Sequence, residues 1–161
     1  MGILAFADHV QEEYSKMIFG IIAAILSGAL MSVQGVFNTG LSKETGMWIS
    51  AAFVQLTAFF VCMAAWLVTG RDSSFGQVLA VHDKYRLLGG VLGAFITFTV
   101  ILSIQKLGAA HGIMVIVVSQ LIVAWLIELF GWFGSDKIDF SWRSAIGAAL
   151  TVAGVVLFKW S

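Results

Sequence analysis

The sequence predicts an all-α integral membrane protein with five transmembrane helices. Three observations carry this. Of its 161 residues, 60% are hydrophobic and 11% are charged, where a soluble domain would carry about 25% charged residues. The mean hydropathy is +0.97, and the apolar residues are gathered into long runs. Five runs, at about 17–41, 47–69, 86–105, 111–133 and 142–160, each approach the roughly 20 mainly apolar residues a bilayer-spanning helix needs. Lipid offers no water to unpaired backbone groups and the runs are too long for barrel strands, so helices are the form they must take.

The first sixteen residues, "MGILAFADHVQEEYSK", hold acidic residues and a single lysine ahead of the apolar run, so they do not read as a cleaved signal. Ile3, Phe6, Val10 and Tyr14 recur at helical spacing; this segment is either a short interfacial helix or a disordered lead-in. The breaks between the five runs are "SKETG", "GRDSSFGQVLAVHDKY", "QKLGAAHG" and "GSDKIDFSW". The third is short, and Lys106 and His111 mark its turn. Lys106 reads as a lysine snorkelling from a helix end, and His111 as a boundary residue.

On a helical wheel the first span sorts into three stripes. Phe19, Ile22, Leu26, Leu30, Val33 and Phe37 fall within about 80° and should face lipid. Ala24, Gly28, Ser32, Gly35 and Thr39 form a small-residue stripe that admits a neighbouring backbone. Ser27, Gln34 and Asn38 fall within about 40°, apart from both stripes. The two amides thus point toward an interior or a cavity. They either bond across helices as glue or line a substrate path, and the same alternatives hold for Gln55 in the second span.

The fourth span repeats the design. Gln120, Ala124, Glu128 and Gly131 share a face, with Val115, Ser119, Ile122, Leu126, Leu129, Phe130 and Phe133 opposite and Trp125 and Trp132 flanking. Gln120 lies mid-span, and Glu128 lies about 12 Å further along the axis. A carboxylate inside an apolar run costs a few kcal/mol on insertion scales and is a functional candidate by default. Spans three and five carry small-residue seams, Gly89–Gly93–Thr97 and Ser144–Gly147–Thr151–Gly154, which read as packing surfaces.

Composition also excludes. Nine basic against nine acidic residues suggest no nucleic-acid partner. Cys62 is the one cysteine; it can form no intrachain disulfide, offers no metal site and reads as a packing residue. There is no nucleophile–base pair, metal cluster or phosphate-binding loop, so neither an enzyme nor a cofactor is expected.

Five spans put the two ends of the chain on opposite sides of the membrane. With the N-terminus in the cytoplasm, Lys16, Arg71, Lys84, Arg86, Lys137 and Arg143 fall inside and Lys43, Lys106 and Lys159 outside, a weak inside bias that leaves room for insertion both ways. Many transporters hold substrate at the midplane between two inverted repeats. No internal duplication is visible here, so a second copy or a homologous five-helix partner, inserted upside down, would complete ten helices.

The order "SVQGVFNTGLSKETG", then "GGVLGAFITFTVILSIQKLGAAHGIMVIVVSQLIVAWLIELFGWFG", then "AIGAALTVAGVVLF" resembles the YdcZ family of the drug/metabolite transporter superfamily over about residues 18–158. Gln34 and Asn38, the Gly-rich start of span three, the "LGAA" turn and the Gln120–Glu128–Gly131 series carry the likeness. That family often has Asp where this chain has Glu128. The resemblance implies a five-helix half of a ten-helix inverted-repeat transporter in the bacterial inner membrane, found as single units, gene pairs or fusions.

The expected function is therefore a secondary-transporter half that works as an antiparallel dimer and exports a small organic solute or metabolite by alternating access. Gln34, Asn38 and Gln120 would orient the cargo, with Ser27 and Gln55 as further cavity lining. Trp125 could offer an aromatic face to a cation. Glu128 would bind a proton or a cationic group, and competition for it would suffice for antiport. Two rivals remain: a small dual-topology ion channel, and a non-transporting scaffold subunit of a larger membrane assembly.

Overall fold

The computed structural model describes residues 2–70 and 74–159, with side chains over 9–70 and 74–158. The described residues form helices and turns and no strand: α1 (Gly2–Thr45), α2 (Met47–Val68), a short α3 (Phe75–Ala80), α4 (Gly89–Leu107), α5 (Ala109–Phe130) and α6 (Trp142–Lys159), with 3₁₀ turns at Lys84–Leu88 and Trp132–Gly134. Four helical stretches, His9–Thr45, Met47–Val68, Lys84–Leu107 and Ala109–Phe130, are long and apolar enough to cross a membrane. The fifth expected span forms α6, whose apolar stretch Trp142–Phe158 is shorter.

α1 runs without a break through its 44 residues, about 66 Å at 1.5 Å per residue against a hydrocarbon core of about 30 Å. Its early turns carry water-facing chemistry: Lys16 pairs with Glu12 at 2.8 Å and with Glu13 at 3.6 Å. Ile3 and Phe6, half of the apolar spacing seen in the lead-in, lie outside the described side chains, as does Lys159 of the charge pattern; Arg71 lies outside the described residues.

A single glycine separates α1 from α2, and another separates α4 from α5. Gly46 has φ 89° and ψ 156°; Gly108 has φ 79° and ψ 163°. This backbone region is essentially closed to residues with a Cβ. The two turns also share a hydrogen-bond pattern. Gly46 N–H donates to Ser42 O (2.9 Å) and Gly46 O accepts from Ser50 N–H (3.0 Å). Gly108 N–H donates to Ile104 O (2.9 Å) and Gly108 O accepts from Gly112 N–H (3.0 Å). The hairpins α1–α2 and α4–α5 thus close alike, although "SKETGMWIS" and "IQKLGAAHG" share little beyond the glycine.

α4 is the central element, packing on α1, α2 and α5, while α6 lies against α5. Close approach happens where side chains are missing. A Cβ on Gly35 would stand 2.8 Å from Ile104 Cδ1, and one on Gly112 would stand 3.3 Å from the Ser103 carbonyl carbon. All the buried residues among those described fall between Gly35 and Ala51 or between Ile101 and Gly112. The bundle is therefore tight at the end that carries the two glycine turns and splayed toward the other end.

The helix faces follow the wheel in part. Phe19, Ile22, Leu26, Leu30, Val33 and Phe37 are all exposed, as lipid-facing residues should be. In the small stripe of α1, Gly35 and Thr39 are buried, whereas nothing stands within 4 Å of a Cβ on Gly28. Gly93 of α4 lies under Gln55, whose Nε2 would be 2.8 Å from an added Cβ. Gly147 and Gly154 of the α6 seam have no neighbour within 4 Å of that position.

Replacing Gly108 by alanine should cost about 1–3 kcal/mol of stability, because the backbone there excludes a Cβ. Gly20→Ala, at an open helical position, should be neutral or stabilise by up to about 1 kcal/mol. Thermal unfolding of both variants in detergent checks the contrast.

Candidate functional site

The splayed helices leave a cavity of about 140 Å³ between α1, α4 and α5. α1 contributes Gly28, Met31, Ser32, Gln34, Gly35 and Asn38; α4 contributes Ile96, Thr97 and Val100; α5 contributes Ile113, Ile116, Val117 and Gln120. The four-residue spacing puts Gln34 and Asn38 one above the other on α1. Gln120 meets them from the middle of α5. Among the described residues no ionisable side chain lines the cavity.

Asn38 is 7% exposed, yet its carboxamide has no hydrogen-bond partner among the described residues; only its backbone carbonyl is engaged, by Ser50 Oγ at 3.0 Å. Gln34 and Gln120 line the same space with amides that also lack partners among those residues. An amide moved out of water without a hydrogen bond costs roughly 2–7 kcal/mol. The three amides thus line one cavity without making a hydrogen bond between helices among the described residues.

Toward the glycine turns the cavity is closed by polar packing. Thr39 Oγ1 donates to Gly35 O (2.8 Å) and Ser42 Oγ to Thr39 O (2.8 Å), while Gln105 Nε2 donates to Ser42 Oγ (2.9 Å). Ile101 and Ile104 of α4 are buried among these groups' helices. Ser42–Gln105 ties α1 to α4 within a few residues of both turns.

The other candidate residues lie elsewhere. Ser27 borders an outer groove of α1 that Gln34 and Asn38 also touch. Gln55 sits between α2 and α4 in a groove with Trp48, Ala51, Ala52, Gly90 and Ala94. Cys62 is exposed on α2, beside Phe59, Met63 and Trp66. Glu128 is exposed in the last turn of α5, outside the cavity lining. Trp125, one turn before it, packs on Phe140 with centroids 5.9 Å apart, and its buried Nε1 has no hydrogen-bond partner among the described residues.

α5 ends earlier than the apolar run suggests. Gly131 takes a left-handed conformation (φ 66°, ψ 33°) that caps the helix, and the chain folds back so that Ile138 N–H donates to Glu128 O at 3.1 Å. Phe133 has φ 58°, strained for a bulky residue. Tyr85 holds it from the α2–α4 connection: Tyr85 Oη donates to Phe133 O at 3.3 Å, and the rings pack at 6.0 Å. Arg86 beside it pairs with Asp83 at 2.7 Å. Among the described residues no cluster of three or more His, Cys, Asp or Glu could hold a metal.

Sequence reading did not find Thr97, Ser42, Ser50 or Gln105. Thr97 read as part of a packing seam. Ser42 and Gln105 each stood at a predicted span end, and their 63-residue separation leaves no local signal.

A bundle of helices this long and apolar defines an integral membrane protein. The chain belongs to the family described as "Putative inner membrane exporter, YdcZ", whose profile matches residues 19–157. It is 35% identical over 108 residues to the inner membrane protein YdcZ of Escherichia coli (strain K12), covering 66% of this chain and 72% of that one. No solved structure matches. The protein is accordingly an integral inner-membrane protein, and its family is one of exporters rather than enzymes.

The unpaired Asn38 amide makes a distinctive prediction. Asn38→Leu, which keeps the branching at Cγ and can grow into the adjoining cavity, should leave stability unchanged or raise it by up to about 2 kcal/mol, since no hydrogen bond is lost. Ser50→Ala should lower it by about 1 kcal/mol through loss of the bond to the Asn38 carbonyl. Unfolding midpoints in detergent separate the two.

Proposed function

We propose that this chain is one half of a secondary transporter that works as an antiparallel dimer, exporting a small organic solute by alternating access. The observation that carries the reading is the convergence of Gln34, Asn38 and Gln120 on one cavity. Its closure toward the glycine turns and the splay of the opposite end are what one face of an alternating-access cycle requires. α6 serves as the fifth span, since its apolar stretch falls at the lower end of the range of about 17–25 residues that cross a bilayer. It would return the C-terminus to the side opposite the N-terminus.

The second copy answers a physical need. Gln34, Gln120 and Glu128 are exposed on the single chain, at helical positions where lipid would leave them without partners. An inverted copy laid over the splayed side covers them and completes ten helices. Glu128 carries the coupling proton, and its exchange at the membrane face accompanies cargo movement.

Proteoliposomes with a trapped pH dye test this. Wild-type protein should release protons in response to added solutes, saturably and with a rate that depends on pH. Glu128→Gln should bind solute but lose at least tenfold in solute-driven proton flux. An unchanged pH dependence in Glu128→Gln would remove the coupling role. Flux that is electrically measurable and never saturates would favour a channel, and liposomes that move nothing would favour a scaffold.

A further inference from the structure

We infer that the cavity between α1, α4 and α5 receives an uncharged solute: a compact apolar body bearing an amide- or hydroxyl-like group. The inference rests on the exporter reading and specifies the cargo that its site accepts. Three carboxamides, Gln34, Asn38 and Gln120, present unpaired donors and acceptors to one space. Asn38 is more than nine-tenths buried, and it borders this space as well as the outer groove of α1. The hydroxyls of Ser32 and Thr97 already donate to Gly28 O (3.0 Å) and Gly93 O (2.9 Å). They offer only acceptor lone pairs to a guest. The remaining wall is aliphatic.

Charge decides the class. Among the described residues, no carboxylate, lysine, arginine or histidine lines the cavity. An ion leaving water for such a space without a counter-charge meets a desolvation cost that amide dipoles do not repay. Glu128 stands about 12 Å along α5 from Gln120. In an inverted copy it stands as far beyond the midplane on the other side, so neither carboxylate reaches the amides. Cargo and proton therefore occupy separate places, and the two do not compete for one carboxylate.

The test uses benzamide, benzamidinium and benzoate, three probes of nearly one shape and of charge zero, plus and minus. On a Cys62→Ser background, Thr97→Cys reports occupancy through its rate of maleimide modification in the full-length protein in liposomes, with Ile113→Cys as an independent reporter. Benzamide should slow modification at least tenfold at saturation, while the two ions slow it less than twofold. Gln120→Glu, which replaces an amide by a carboxylate of the same shape, should transfer protection to benzamidinium. Protection of the unaltered site by benzamidinium equal to that by benzamide would overturn the inference, as would no protection by any probe. Solute-dependent proton release in the dye assay alongside either result would leave the exporter reading standing and remove only the neutral-cargo site.

Discussion

Two turns whose backbone strongly favours glycine, joined by a hydrogen bond between Ser42 and Gln105, hold four helices together at one end. Gly46 and Gly108 each reverse the chain within a single residue, so α2 and α5 start where α1 and α4 stop. Gly35 and Gly112 then let α4 approach α1 and α5 more closely than a side chain would permit. All burial among the described residues is concentrated there. Because the other end is tied only by longer connections, the helices diverge with distance from the turns, and the cavity is the space that divergence leaves.

That asymmetry is expensive for an isolated chain in lipid. In water, exposed Gln34 and Gln120 would be unremarkable. In hydrocarbon, each amide without a partner destabilises the protein, and an aliphatic side chain would be favoured in its place. The amide-bearing faces of α1 and α5 therefore make physical sense as parts of a larger enclosure, which the proposed inverted copy would supply. The opposite membrane face has its own device. Tyr85 clasps the strained Phe133, and Gly131 ends α5 just beyond Glu128, placing the carboxylate a few residues from the positive-φ backbone of Gly131, Phe133 and Gly134.

Much of this was legible in the sequence. The apolar runs located α2, α4, α5 and α6 to within a few residues, whereas α1 starts fifteen residues before its run; Gln34, Asn38 and Gln120 line one cavity, while Glu128, Trp125, Ser27 and Gln55 lie away from it. Other features were hidden for physical reasons. A glycine forced to positive φ looks the same in sequence as one that only thins a helix surface, so the matching turns at Gly46 and Gly108 were not visible as a pair. Thr97 sits in "GAFITFTV", where a hydroxyl reads as a packing residue, and its place in the cavity depends on how α4 is rotated in the bundle. The end of α5 at Phe130, short of the apolar run's end, follows from the left-handed Gly131 and the return of Ile138 onto Glu128. Hydropathy carries no signal for either.

The central claim is that an oppositely inserted copy completes the site, and labelling from the two membrane faces tests it most directly. On a Cys62→Ser background, cysteines at the exposed positions Glu44 and Asp136 mark the two ends of the bundle. If the account holds, each site reacts with a membrane-impermeant maleimide from both faces, in comparable populations. Reaction of each site from one face only would contradict an antiparallel homodimer.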